Sequence, residues 1–276
     1  MSDTRRQALA PPRGILRGGG PGRGSLLSDR TRPCDALAPF VHHFWVAQWD
    51  LRAPYPVEVL PHPAARLTIE TRNSGHRAAI AGVQTGRLSR RLTGYGRTFG
   101  IAFRPAVFQP LLGAPMSTLT DRVVRIERVF GCEGEALARR IHTASGFAET
   151  VALAEDFLTR RIPSLDVEAI AVRDEVERLM ADRSLLRVQE AATRFGIGER
   201  SLQRLFKKYV GVSPKWVIQR YRLHEAAEQL RGPAPPALAE LAAALGYADQ
   251  AHFAREFKET VGRTPRDFRA LWRSAR

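Results

Sequence analysis

The stretch LQRLFKKYVGVSP at residues 202–214 returns 51 residues further on as FAREFKETVGRTP at residues 253–265. Identical residues keep this offset in both copies: Arg204 and Arg255, Phe206 and Phe257, Lys207 and Lys258, Gly211 and Gly262, Pro214 and Pro265. Apolar residues three and four positions apart predict a short helix in each copy, with one apolar and one basic face. Two such helices side by side suit two stretches of DNA groove.

The first copy belongs to a predicted helix-turn-helix unit. A short helix over residues 188–195 is followed by a turn at Gly196 and by a second helix over residues 199–210. The second helix points its apolar residues inward: Leu202, Leu205, Phe206 and Tyr209. Its outward positions are candidate DNA contacts: Arg200, Gln203, Arg204, Lys207 and Lys208. The lysines could be either phosphate contacts or solubilising charge.

The second copy repeats this plan. A short helix over residues 238–245 precedes a turn at Gly246, and Asp249 is a good N-cap for a helix that continues through Thr260. Phe253 and Phe257 are expected to face inward. The outward candidates of this helix are Gln250, Ala251, Ala254, Arg255 and Lys258. Between the units, Ser213 and Pro214 begin a helix that runs to about Arg231, close to one turn of DNA in length.

The chain before these helices has a different pattern. Residues 33–128 hold short alternating and β-branched runs separated by Pro and Gly, which predicts a small barrel or sandwich. Helical spacing follows over residues 133–162, and Pro163 with Ser164 predicts a linker. We therefore expect an α+β protein of two domains: a disordered basic tail at 1–32, a barrel-like β-rich domain at 33–165 that folds alone, and an all-α DNA-binding domain at 166–276.

Composition narrows the class of partner. The net charge of +15 suggests a polyanion, nucleic acid before membrane, and the excess of basic residues lies at both ends of the chain. Two isolated cysteines disfavour a zinc finger and favour the cytoplasm. No apolar run is long enough to cross a bilayer. The spacing of His42, His43 and His62 does not match a metal site, so we expect no metal and no cofactor.

Residues 170–276 resemble the DNA-binding domain of the AraC/XylS family. The resemblance rests on the motif AAALGYADQAHFAREFK at residues 242–258, then GRTP at 262–265 and Phe268-Arg269. It implies seven helices, with two recognition helices in adjacent major-groove segments. By position, the base-reading candidates are Arg200, Gln203 and Arg204 in the first unit, and Gln250, Ala251, His252 and Arg255 in the second. Two residues depart from the family pattern: Arg187 stands where a Ser or Thr usually caps a helix, and Ala251 offers no hydrogen bond.

The preceding region also resembles something known: an uncharacterised β-rich domain that precedes AraC-type domains in many bacterial regulators. The motifs are APFV at residues 38–41, VLPH at 59–62, GVQT at 82–85, GIAFRP at 100–105 and LTDR at 119–122. Such domains usually sense a ligand or dimerise, so the resemblance implies a small-molecule effector or a homodimer. It names no ligand.

Taken together, these patterns indicate a sequence-specific transcription regulator, either an activator or a repressor, and not an enzyme. Its expected partner is double-stranded DNA, with RNA polymerase as a further candidate and no membrane. Two other interpretations stay open. The β-rich domain could be catalytic, with the basic domain delivering it to DNA, or it could serve solely for dimerisation.

Overall fold

The fold is that of a computed structural model, which covers residues 14–16, 24–72, 75–164, 166–182 and 185–274; these are the described residues below. Six antiparallel strands form one sheet in the order β1-β2-β5-β3-β4-β6. Their bounds are β1 Gly24–Thr31, β2 Val41–Val59, β3 Arg66–Arg72, β4 Gly75–Ala81, β5 Leu88–Phe103 and β6 Val123–Arg125. The β-rich domain is confirmed, but β1 and β6 are separate edges, so the sheet is open and the expected barrel is not closed.

Helices cover one face of this sheet. After β5 come α1 (Gln109–Leu112), a 3-10 turn (Met116–Thr118), α2 (Glu127–Thr143) and α3 (Phe147–Thr159). Alternate residues of the strands, such as Phe44, Leu67 and Phe99, are buried in one cluster with Leu137 of α2 and Phe157 of α3. Because side chains alternate across a strand, the residues between them face the other side of the sheet.

The expectation of a disordered tail over residues 1–32 is wrong for residues 24–31. These residues form β1, which pairs with β2 from Gly24 opposite Leu51 to Thr31 opposite Phe44. Upstream, Ile15 bridges Val59 and Leu16 is fully buried. The long strand β2 offers unpaired backbone groups along its edge, and β1 satisfies them despite its mostly exposed side chains. The rest of that predicted tail, residues 1–13 and 17–23, lies outside the described residues.

Seven helices make up the described C-terminal region, as the family resemblance implies. They are α4 Val167–Ala181, α5 Val188–Phe195, α6 Glu199–Tyr209, α7 Pro214–Arg231, α8 Leu238–Ala244, α9 Gln250–Val261 and α10 Pro265–Ser274. The first unit packs around one buried cluster that contains Leu202 and Phe206, and the second around another that contains Phe253 and Phe257. Each helix-turn-helix unit thus has a core of its own.

The two regions share buried contacts across the predicted linker. Val83 and Ala106 of the N-terminal region lie in the same apolar cluster as Val172 of α4. Nearby, Arg104 donates to Glu177 of α4 at 2.6 Å. The domain boundaries remain predictions, but the sheet region and the helical region are packed against each other.

Candidate nucleic-acid interface

Helix α6 separates its apolar and basic residues as the spacing predicts. Leu202, Phe206 and Tyr209 are 0%, 0% and 1% exposed, so they hold the helix against the first core. Four predicted contacts lie exposed on the opposite side: Arg200, Gln203, Arg204 and Lys207. The structure therefore brings four of the five first-unit candidates together on one accessible helical surface.

Lys208 differs from the other basic residues of α6. Its Nζ donates to the hydroxyl of Tyr209 at 2.7 Å and to Glu168 of α4 at 2.9 Å, and it lies 4.3 Å from the centroid of the Tyr209 ring. The hydrogen bonds to Tyr209 and Glu168 raise the pKa of Lys208, so it stays charged. These contacts orient Lys208 toward α4, whereas Lys207 stays unengaged in the described structure.

Helix α9 presents the equivalent surface in the second unit. Asp249 caps the helix by accepting a hydrogen bond from the backbone N–H of His252 at 2.7 Å. The candidates Gln250, Ala251, His252, Arg255 and Lys258 are all exposed. His252 also has neighbours within the protein: its ring is 5.4 Å from the Tyr247 ring, and its Nε2 is 3.9 Å from Glu256. Arg255 has no such contact among the described residues.

Helix α7 joins the two units. Ser213 caps it by accepting from the N–H of Trp216 at 3.2 Å, and Pro214 occupies the first turn, as predicted. Its 18 residues correspond to about 27 Å, at roughly 1.5 Å per residue. Ten of them are buried, so α7 is held on several sides. The two units are thus joined by a largely buried helix of fixed length.

Arg187 does not act as a side-chain cap for α5, which agrees with the expected weakness at this position. An Arg side chain has hydrogen-bond donors and no acceptor, so it cannot accept a hydrogen bond from a backbone N–H group. Glu190 compensates for part of this loss, because its Oε2 accepts from the backbone N–H of Leu186 at 2.9 Å and of Arg187 at 3.1 Å.

Sequence reasoning missed a set of contacts that we call the clasp: Glu58, Arg87 and Thr120 of the N-terminal region, which hold the turn after each recognition helix. Thr120 Oγ1 donates to the carbonyl of Gly211 at 2.6 Å, after α6. Arg87 donates to the carbonyl of Val261 at 3.0 Å, at the end of α9. The turn between α9 and α10 is held as well, because Glu58 accepts a hydrogen bond from Arg263. The clasp thus touches both units in the turn that follows the recognition helix, although not at identical positions of the repeat.

The turn glycines allow this approach. Gly211 and Gly262 have φ values of 96° and 83°, in the left-handed region that favours glycine. A Cβ on Gly211 would lie 2.9 Å from Thr120 Oγ1 and 3.0 Å from the carbonyl oxygen of Met116. The repeat identified both glycines, but no local pattern could show which residues approach them, because the contacting residues lie far away in sequence.

Further contacts connect the sheet region to α7. His62 Nδ1 lies 2.8 Å from the hydroxyl of Tyr221, and the His62 ring stacks on His224 with 4.5 Å between centroids. The buried Arg220 donates to the carbonyl of Thr85 and lies 4.5 Å from the Trp216 ring. The helix between the units is therefore anchored to the N-terminal region.

The part of the chain that the structure describes lacks two other kinds of feature. No group of three or more His, Cys, Asp or Glu residues in that part of the chain could hold a metal ion. Among the described helices, none combines the length and apolar character required to span a membrane.

Two family models match the chain. Residues 29–125 match DUF6597, a domain of unknown function, and residues 191–271 match a helix-turn-helix domain. The first match covers most of the six-stranded sheet, and the second covers both recognition helices.

Curated relatives match the C-terminal region. The HTH-type transcriptional activator RhaR of Yersinia pestis is 37% identical over 71 residues, which are 26% of this chain and 24% of that protein. RhaS of Escherichia fergusonii is 33% identical over 78 residues, 28% of each chain. The Msm operon regulatory protein of Streptococcus mutans is 26% identical over 120 residues, 43% of each chain. The matches thus span less than half the length of these relatives.

Solved structures of regulators also resemble this chain. A transcriptional regulator of Chromobacterium violaceum with an AraC-type DNA-binding domain is 26% identical over 37% of this chain and 91% of that one, with a TM-score of 0.34. ToxT of Vibrio cholerae is 10% identical over 90% of this chain and 98% of that one, with a TM-score of 0.42. From the sequence matches, the C-terminal region of this chain belongs to the AraC-type helix-turn-helix regulators, and a domain of the DUF6597 family precedes it.

Proposed function

We propose that the protein is a sequence-specific transcription regulator that reads two adjacent major-groove segments of double-stranded DNA. One observation carries the proposal: α6 and α9 each expose an Arg and a Lys at matching positions while a buried Phe fixes the helix from behind. A solvated helix face would not require this correspondence between two units. Guanidinium groups on a helix surface suit the acceptors of guanine in the major groove.

The exposed residues divide into two roles in this proposal. Arg204 and Arg255 read base edges, with Arg200, Gln203, Gln250 and His252 as further base contacts. Lys207 and Lys258 contact phosphates, which supply affinity and salt dependence without sequence preference. Lys208 orients α6 through its contacts with Glu168 and Tyr209. Ala251 offers no hydrogen bond, so we assign it an apolar contact, such as a thymine methyl group.

A footprint tests the arrangement of the two units. We expect hydroxyl-radical protection of two segments about 10 base pairs apart on one face of the DNA, since the length of α7 is close to one helical turn of about 34 Å. The full-length protein is footprinted on an operator selected from random DNA. Protection of a single segment would mean that the second unit does not engage, and would contradict the proposal of two reading helices.

The N-terminal region is proposed to regulate DNA binding. The clasp contacts both units and α7 contacts the same region, so a change in the sheet domain would alter how the two recognition helices are placed. A small-molecule effector or a second copy of the chain could bring about such a change. RNA polymerase is a further candidate partner. A regulator of this kind would act on chromosomal DNA, so we propose a cytoplasmic location.

The coupling between Glu58 and Arg263 can be measured. Their side chains are only 11% and 21% exposed, and Arg263 also donates to the carbonyl of Leu16 at 3.2 Å. We expect Glu58→Gln and Arg263→Gln each to lower the free energy of unfolding by about 1–3 kcal/mol, because a charge-assisted hydrogen bond is lost. The double variant should lose clearly less than the two single losses combined.

Urea unfolding of the full-length variants supplies these values, and hydrogen exchange should show faster opening at the α9–α10 turn. The exposed Arg273 in α10 provides the control, since Arg273→Gln should change stability by less than about 0.5 kcal/mol. Strict additivity of Glu58→Gln and Arg263→Gln would show that the two residues act independently.

A catalytic N-terminal domain finds less support. The matches point to a regulator family. In the sheet region, burial and then the neighbouring His42 lower the pKa of His43 to about 3, which leaves it uncharged and a poor base. The carboxylates of Glu58, Glu70 and Glu177 are bound to arginines. Such pairing suits structural roles better than proton transfer.

A further inference from the structure

The second face of the sheet forms the floor of a cleft. Whereas helices α2 and α3 cover one face, the other borders a space of about 1520 Å³. Residues from the C-terminal region line the opposite wall: Met180 of α4, Leu185, Tyr221 of α7 and Leu245. The cleft therefore lies between the sheet and the helices that carry the two DNA-binding units.

Small side chains give this floor a flat shelf. Thr68 of β3 pairs with Ala79 of β4 on one side and with Gly100 of β5 on the other, and Gly100 pairs with Trp45 of β2. A Cβ on Gly100 would lie 2.0 Å from Cε2 of Trp45, so the indole rests directly on the glycine backbone. The shelf thus ends at the Trp45 ring, which can lie there only because residue 100 is a glycine.

Most carboxylates that line the cleft are already paired with arginines, whereas Glu225 accepts from the side-chain amide of Gln229 at 2.8 Å. Four of them bind arginines: Glu58 with Arg263, Glu70 with Arg90, Glu177 with Arg104, and Asp182 with Arg194. The two charges of each pair neutralise each other, so these four carboxylates do not compensate the other cations in the lining.

Arg66 is a cation without such a pair. It lies half-buried in the lining, opposite Ala81 of β4 and Ala102 of β5, and has no ion pair within the part of the chain that the structure describes. Burial lowers the pKa of Arg66, and no carboxylate is near enough to reverse this effect. A guanidinium still stays protonated, so its charge is held in the cleft without compensation. A half-buried guanidinium without a carboxylate partner can pair with an anionic ligand that enters the cleft.

The positions of Arg66 and Trp45 define the dimensions of a ligand. Arg66 is on β3 and Trp45 is on β2, with β5 between them. They are two strand spacings apart and are offset by two residues along the strands, which together separate their backbones by about 12 Å. The Arg66 guanidinium at one end and an apolar shelf at the other suit a small amphipathic anion. A carboxylate matches a guanidinium with two parallel hydrogen bonds.

We propose that this cleft binds a small monocarboxylate, with the carboxylate on Arg66 and an apolar or aromatic body on the shelf beside Trp45. Its role as an effector site rests on the proposed regulatory function. Because Tyr221 belongs to α7, a bound ligand would touch the helix that fixes the spacing of the two recognition helices. Occupancy would then change the affinity for DNA.

Two matched pairs of compounds test the site in the full-length protein without DNA: 2-naphthoate against 2-naphthamide, and 4-phenylbutanoate against its amide. Within each pair the apolar body is the same and only the charge differs. Calorimetry and quenching of tryptophan fluorescence measure binding. We expect at least one acid to bind at least about 10-fold more tightly than its amide, since a charge-assisted pair with Arg66 is available only to the acid.

Three variants locate the charge effect. Arg66→Gln should reduce the advantage of the acid to less than about threefold, and Arg66→Lys should retain part of it, because a lysine keeps the charge but loses the bidentate geometry. Arg77→Gln, an exposed cation of the same lining, should leave the advantage unchanged. Removal of an uncompensated charge should not lower the melting temperature of Arg66→Gln, which separates a binding role from a structural one.

Several results would overturn the proposal: equal affinities of acid and amide for the wild-type protein, no binding of either acid at about 5 mM, or an unchanged advantage in Arg66→Gln. The effect on DNA is measured separately with the same preparation. If the acid binds but DNA affinity does not change, the effector role is refuted. If the protein does not bind DNA at all, the proposed function fails, and the carboxylate site is still judged by the DNA-free titrations.

Discussion

Replacement of Phe257 by alanine is expected to lower the free energy of unfolding by about 3–5 kcal/mol. The side chain is 0% exposed, and its ring lies 5.7 Å from Phe253 and 5.6 Å from Phe268. Truncation leaves a cavity between these two aromatic rings, which cannot easily collapse around it. The same loss is expected for Phe206→Ala, because Phe206 is also 0% exposed and anchors α6 in the core of the first unit.

Urea unfolding of the full-length protein measures both losses, and hydrogen exchange assigns each loss to a unit. Phe206→Ala should accelerate exchange chiefly in α6, and Phe257→Ala chiefly in α9, since the two residues belong to different apolar clusters. Val167→Ala is the control, because Val167 is 85% exposed and its truncation should cost less than about 0.5 kcal/mol. A loss below about 1 kcal/mol in both Phe variants would refute the anchoring role.

The helical units could be predicted in detail because their signals are local. Apolar residues three and four positions apart decide which side of a helix is buried, and the repeat tests that decision twice. The burial of Phe206 and Phe257 confirms it. The caps at Ser213 and Asp249 are also confirmed, since a cap requires only a side-chain oxygen and the backbone three residues later.

The partners of these units could not be predicted, because they lie far away in sequence. Lys208 and its partner Glu168 are 40 residues apart, and Arg263 and Glu58 are 205 residues apart. Pattern and spacing place each residue on a face of its own element, but they do not show which element packs against that face. The spacing therefore predicts the outward position of Lys208, but it does not predict the hydrogen bond from Lys208 to Glu168 of α4.

The sheet illustrates a second limit. The alternation of residues 66–70 predicts a strand with two faces, and Leu67 and Ile69 are indeed buried in the core. The sequence alone does not show that the other face borders a cleft, or that Arg66 has no carboxylate partner in that cleft. Strand β1 was missed for a related reason, since its stability comes from backbone pairing with β2 and not from an apolar face of its own.

The candidate DNA contacts are tested most directly at Arg204 and Arg255. Both are exposed and occupy matching positions on α6 and α9. We expect Arg204→Ala and Arg255→Ala each to weaken specific binding by about 1–3 kcal/mol and to relax the preference for one base pair in the corresponding segment. Lys207→Ala and Lys258→Ala should instead weaken binding to all sequences and reduce the salt dependence, because phosphates carry no sequence information.

Binding assays on the selected operator and on single-base variants, each at two salt concentrations, separate these effects. Arg128→Ala is the control: this exposed arginine on α2 removes the same charge from a surface remote in sequence from both recognition helices, so it should leave base preference unchanged. The two arginine variants should affect different segments, because α6 and α9 belong to separate units joined by α7. Loss of affinity without any change in base preference would make Arg204 and Arg255 phosphate contacts. Unchanged affinity in both would remove α6 and α9 as the reading helices.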